Sequence, residues 1–295
     1  MQTEIPIVNR HEAPMPKRPA SPTPRPKPWG QGKVTDGVIE ITCRGWPSFE
    51  SFIHETMIDL PDYVWRGHRC SDWPLLSSLD RRLQRAKDPA DPRIPESLLR
   101  RFKLSARGRR AVETLPKNDD EWWALGQHFG LATPLLDWTA SPFVAAHFAF
   151  ADTGQPQTPF RTVFGMSARL VHQKSQALAK ATGEKKQDIR FVCPLVDDNP
   201  RLLHQRGLFT KLPAGQDVES WVRTHFAGRK DKWILIKILI PDTSREMFLR
   251  SLERMAISPL ELFPDLTGAG LYCNLGLDID NYCQNLAATD IFDPA

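Results

Sequence analysis

The residues best suited to chemistry lie between Gln127 and Ala149. The chain there reads Gln127-His128-Phe129-Gly130, then Thr133-Pro134-Leu135-Leu136-Asp137-Trp138-Thr139-Ala140-Ser141-Pro142 and an apolar run to Ala149. A helix ending at Gly130, an extended segment and a new helix opened by Ser141-Pro142 bring together an imidazole, a carboxylate, two hydroxyls and the free N–H groups of a helix start. Such a turn can hold an anionic or polar ligand. The plainer use of the same residues is local: Asp137 and Thr139 satisfy nearby backbone, Ser141 only caps, and His128 is a polar helix terminus. Arg66 is the second candidate. It closes the apolar segment Tyr63-Val64-Trp65 and is followed by Gly67, which permits close backbone approach. Its planar fork of donors suits a phosphate or carboxylate, or else a structural ion pair with Asp137 or Asp265.

A third group is electrostatic. From Asp80 to Arg110 there are eleven Lys and Arg against four Asp and Glu, although the whole chain carries a formal charge of only +4. Leu98, Leu99, Phe102 and Ala106 form one helical stripe in this segment. Arg100, Arg101, Arg107 and Arg110 lie off it and, with Arg109, offer a surface for nucleic-acid phosphates beside Trp122 and Trp123 as stacking surfaces. A solvated charged face is the alternative. His54, His147, His172, His204 and His225 have no metal-ligand spacing, and the five cysteines show no Cys-x-x-Cys, so no metal is expected. A hydrolase using His128 with Asp137 lacks a nucleophile motif: there is no Gly-x-Ser-x-Gly and no cysteine adjoins a histidine.

These groups need a scaffold. Alternation and apolar runs predict strands at 38–42, 63–66, 134–139, 162–168, 190–194, 208–212 and 232–241. Helices are predicted at 47–53, in the basic segment, and at 120–128, 143–150, 218–226 and 244–255, with an exposed loop at 183–187. Residues 1–33 form a proline-rich, basic, disordered tail, since eight of the 26 prolines fall in the first 28 residues. Residues 34–295 form a single compact α+β domain. The chain lacks a glycine-rich phosphate loop in a strand-helix-strand rhythm, which disfavours a doubly wound nucleotide-binding fold. The absence of a long apolar run and of a signal peptide points to a cytoplasmic protein with reduced thiols and no membrane partner.

Tyr63-Val64-Trp65-Arg66-Gly67, Gln127-His128-Phe129-Gly130, Leu135-Leu136-Asp137-Trp138-Thr139 and Ser141-Pro142 together resemble the FRG domain, named for its aromatic-Arg-Gly motif. Pro200-Arg201 with Gln205 to Thr210, and Leu262 to Leu266 with Gly268, extend the resemblance. More distantly, the order of an Arg-Gly strand and a hydroxyl-bearing strand before a helix is similar to cholera-toxin-like ADP-ribosyltransferases. That resemblance implies a mostly antiparallel, split central sheet flanked by helices, and NAD as a substrate without a metal. Arg66 and Gly67 with Asp137, Thr139 and Ser141 would then bind NAD, and His128 would hydrogen-bond a ribose. The catalytic glutamate is the departure: 232–241 contains none, which leaves Glu261 for that role. The implied activity is that of a toxin or defence effector modifying nucleic acid or a nucleic-acid-associated target, with an antitoxin-like or regulatory protein as partner. The alternative is a non-enzymatic FRG-type module that recruits nucleic acid or a protein through the basic helix and the tail.

Overall fold

The computed structural model describes residues 26–85, 91, 93–109, 115–154, 156–182, 188–194, 200–280 and 282. The expected loop at 183–187 and most of the expected tail, 1–25, lie outside the described residues. The folded body nevertheless starts earlier than residue 34. Trp29 is buried edge-on against Phe52, and Gly30–Gln31 (β1) pairs with Val38–Thr42 (β2).

The remaining strands are Tyr63–His68 (β3), Leu135–Thr139 (β4), Phe160–Ser167 (β5), Arg190–Val192 (β6), Gly207–Lys211 (β7) and Leu235–Pro241 (β8). They form one open, mixed sheet in the order β1-β2-β8-β5-β3-β4-β7-β6, with β2 and β8 parallel and every other pair antiparallel. The expected split is a seam and not a break. β3 matches β5 along its whole length, but it meets β4 only at Trp65↔Thr139, and the two strands part beyond that pair.

Residue alternation sends successive side chains to opposite faces. On one face Ile39, Ile41, Trp65, Val163, Ile236, Ile238 and Ile240 pack against Trp46–Phe52 (α1), Pro142–Ala151 (α5) and Arg245–Arg254 (α9). There Phe150 and Phe248 stack with centroids 4.2 Å apart. On the other face Val64, Phe164, Met166 and Leu235 meet Val171 of Ala168–Thr182 (α6) and Trp221 of Val218–His225 (α8). A third cluster forms around β4 and β7, where Leu135 and Phe209 pack with Leu79 of Ser78–Leu83 (α2), Leu99 of Arg93–Ser105 (α3) and Trp123 of Asp119–His128 (α4). Each large apolar side chain fully buried this way contributes about 1.5–3 kcal/mol.

Two features fix the seam. Ser141 caps α5 by accepting from the Val144 N–H at 3.3 Å, with Pro142 in the first turn. Then α5 crosses β3 at Gly67, where a Cβ would stand 2.0 Å from the Ala145 carbonyl oxygen, so only glycine allows this approach. The short helices Pro200–His204 (α7), Pro259–Leu262 (α10) and Leu266–Asp278 (α11) complete the body. Among the described residues no helix is long and apolar enough to cross a membrane.

Candidate functional site

Where β3 and β4 diverge, a cleft of about 920 Å³ opens, lined in part by Arg81 of α2 and by Gln84 and Arg85 just after it. Arg66 stands at its centre, with its side chain 18% exposed. Its Nε donates to His68 Nε2 at 2.9 Å, and Nη1 donates to the Asp137 carbonyl at 2.8 Å and lies 3.5 Å from Asp137 Oδ2. Nη2 is left to the cleft. Asp137 in turn accepts from Gln127 Nε2 at 2.5 Å, and Gln127 Oε1 accepts from the Thr133 hydroxyl. The α4 end, the β4 strand and the β3 strand are thus tied into one polar chain, which sets the guanidinium in a single orientation.

The electrostatics follow from this packing. Burial, reinforced by the Arg66 charge, holds His68 well below the usual imidazole pKa. His68 is therefore neutral, with Nε2 free to accept. Burial also lowers the Arg66 pKa; Asp137 opposes the shift and the Arg81 charge adds to it. Arg81 is lowered for the same leading reason. Arg69, Arg81 and Arg85 join Arg66 in lining the cleft, against the carboxylates of Asp137 and Asp152. Arg69 is paired with Asp152 at 2.7 Å and lies over the Trp73 ring at 4.8 Å. Trp73, 36% exposed, and the half-buried Phe263 add apolar surface at the cleft wall. Four guanidinium groups against two carboxylates make an anion pocket with aromatic surface, of a size that accepts a dinucleotide.

The structure brings together only part of the predicted site. Arg66, Gly67, Asp137 and Thr139 line the cleft. Thr139 is nonetheless committed: it is buried, donates to the Gln205 carbonyl at 2.7 Å and accepts from the Ser141 N–H at 3.1 Å. Gly67 acts through packing on α5, and Ser141 is a helix cap outside the lining. His128 also lies outside it, at the α4 end. Burial lowers its pKa, helped by Arg201, and its ring meets Phe129 edge-on. Arg66 pairs with Asp137 and not with Asp265, which instead binds Arg201 at 2.6 Å.

Glu261 is not among the residues that line the cleft. It lies in α10, and its Oε2 accepts from Ser258 N–H at 3.1 Å and Ser258 Oγ at 2.5 Å in a capping box. Of the two tryptophans, one is closed off from a stacking role by burial. Trp123 is core, and Trp122 is half-buried behind Phe102 with Lys103 over its ring. Arg100, Arg101, Arg107 and Arg109 are exposed as expected, and Arg110 lies outside the described residues. Among the described residues no group of three or more His, Cys, Asp or Glu is placed to hold a metal.

His68, Arg69, Trp73, Arg81 and Arg85 were missed. His68 and Arg69 continue the Trp65-Arg66-Gly67 motif, and Arg81 and Arg85 are spaced four apart so that both face one side; that spacing was the available signal. The family model of the FRG domain matches residues 61–158. This span holds β3, α2, α4, β4 and α5, and hence the Arg66 network. The further segments of the resemblance fall outside the matched residues, yet supply Gln205 and Phe263 to the same cleft. No curated protein and no solved structure matches the chain.

Proposed function

We propose, with residues 61–158 taken as an FRG domain, that the seam cleft binds NAD and that the chain is an ADP-ribosyltransferase-like enzyme. The observation that carries this reading is the fixed Arg66 guanidinium, with an unspent edge, in a dinucleotide-sized cleft lined by four arginines. Arg66 and Arg85 would hold the pyrophosphate, and the Trp73 or Phe263 surface would take a base.

Glu261 is replaced in this scheme by Asp137, which is more than half exposed and stands in the cleft beside the anchored arginine. As the C1′–N bond of the nicotinamide ribose breaks, nicotinamide departs with the bonding pair. The Asp137 carboxylate stabilises the oxocarbenium-like ribose and takes the proton of the acceptor nucleophile that bonds to C1′.

The test is calorimetric titration of NAD into wild type and Arg66→Ala, with nicotinamide release followed in the same samples. Binding in the wild type is expected to fall at least about tenfold in the variant, as the loss of a charge-assisted contact predicts. Absence of NAD binding to the wild type defeats the proposal. If nucleic acid then bound with a steep salt dependence, the non-enzymatic module would replace it; the exposed Arg100, Arg101, Arg107 and Arg109 have no ion pair among the described residues and would carry that binding.

A further inference from the structure

Behind the Arg66–Asp137 pair lies a second cavity of about 270 Å³. Arg66, Arg81, Gln127 and Asp137 line both spaces and form the partition between them. Arg82 lines only the smaller space, whereas Arg69 and Trp73 line only the larger.

The smaller cavity has three guanidinium groups and one carboxylate, and that carboxylate is already engaged by Gln127 and Arg66. Arg66 and Arg81 are held in place by main-chain carbonyls, those of Asp137 at 2.8 Å and Leu76 at 2.5 Å. Arg82 is exposed and has no side-chain hydrogen bond or ion pair among the described residues. With Arg66 turned to the larger cleft, the oriented Arg81 and the exposed Arg82, which has no ion pair among the described residues, around a space too small for a dinucleotide are complementary to a single phosphate group.

We infer that this cavity is a second anion subsite, which takes the phosphate of a phosphomonoester while the larger cleft holds the dinucleotide. The assignment of the larger cleft rests on the proposed function; the anion subsite does not. In that arrangement the second ligand approaches the Arg66–Asp137 partition from the side opposite Arg69 and Trp73. It is then the class of molecule that would present a nucleophile to the bound ribose.

The experiment titrates inorganic phosphate into wild type, Arg82→Ala and Arg69→Ala, each with and without saturating NAD, after thermal melting has shown that all three are folded. Wild type and Arg69→Ala are expected to bind phosphate in the presence of NAD. In Arg82→Ala phosphate binding should weaken about tenfold with NAD affinity unchanged. Full displacement of phosphate by NAD in the wild type, or unaltered phosphate binding in Arg82→Ala, overturns the inference. If NAD binds none of the proteins, the dinucleotide reading has failed, and the contrast between Arg82→Ala and Arg69→Ala still decides the subsite.

Discussion

Arg66 on β3 and Arg161 on β5 sit on neighbouring strands, and both lie largely or wholly out of water. Arg161 is 1% exposed and so is closed off from solvent. Its Nη1 donates to the carbonyls of Ala149 and Asp152 at 2.7 and 2.9 Å, closing the C-terminal end of α5, and its Nε donates to Asp242 at 2.5 Å. Arg66 uses Nε and Nη1 in the same way on His68 and Asp137, but its side chain is 18% exposed and lines the cleft. The difference lies in what surrounds each strand: β5 is paired on both sides along its length, whereas β3 loses its partner β4 after one residue pair. A buried arginine in a continuous sheet belongs to the fold, and one at a seam is available to a ligand.

Arg161→Ala should break this comparison most strongly. It leaves two helix-end carbonyls and the Asp242 carboxylate without their donor, at about 3–5 kcal/mol, with the one-third exposure of Asp242 favouring the low end. Arg66→Ala removes hydrogen bonds at a wetter position and should cost about 1–2 kcal/mol. Urea unfolding of the two variants measures the ratio. Equal losses would mean that Arg66 is also a structural group, and the ligand role would lose its main support.

The seam also explains what was legible in the sequence. Strands β2, β3, β5, β7 and β8 follow from alternation or apolar runs, because each buries at least one face and the period of two is preserved. Helix α11 was not visible: Gly268, Gly270 and Gly276 give it poor intrinsic propensity, and contact with α10 holds it, Gly268 lying against the Phe263 and Pro259 carbonyls. The polar helix α6 was missed for a related reason, since only Val171 and Ser175 along it are buried. Arg66 and Asp137 were legible because each sits in a compact motif. The remaining cleft residues are scattered from 68 to 263 along the chain, and the divergence of β3 from β4 brings them together. The basic segment, read as one surface, is two: Arg81 and Arg85 face the cleft, and Arg100 to Arg109 face solvent.

A second pair sharpens the same distinction. His147, on α5, is 1% exposed and lacks a partner for Nδ1 among the described residues; burial pushes its pKa down to about 4. His68 is lowered by burial and by Arg66. For both, the unfolded chain binds the proton more readily, so stability is present above the unfolded value near 6.5 and is lost as pH falls toward the folded value. For His147 the window is about 6.5 to 4 and the loss roughly 3 kcal/mol. His147→Phe should flatten that part of the stability–pH curve, measured by urea midpoints. Any pH dependence of anion binding in the cleft should persist in the variant, because it arises at His68, whose Nε2 on protonation can no longer accept from Arg66 Nε. A variant that loses both dependences would show that the cleft has no separate pH response.

The smallest effect concerns the two carboxylates that compete for the catalytic role. Glu261 is exposed but doubly engaged by Ser258, and glutamine retains a carbonyl oxygen that can accept from the Ser258 N–H. Glu261→Gln should therefore cost about 0.5 kcal/mol of stability or less, at the low end of capping interactions, and leave NAD binding and nicotinamide release unchanged. Asp137→Asn keeps the size and the acceptor carbonyl at the centre of the cleft but removes the charge that would face an oxocarbenium-like ribose. It should retain NAD binding and lose release. The reverse pattern, with release abolished by Glu261→Gln at unchanged melting temperature, would require α10 to rearrange so that this carboxylate leaves its cap and reaches the cleft, as its neighbour Phe263 already does.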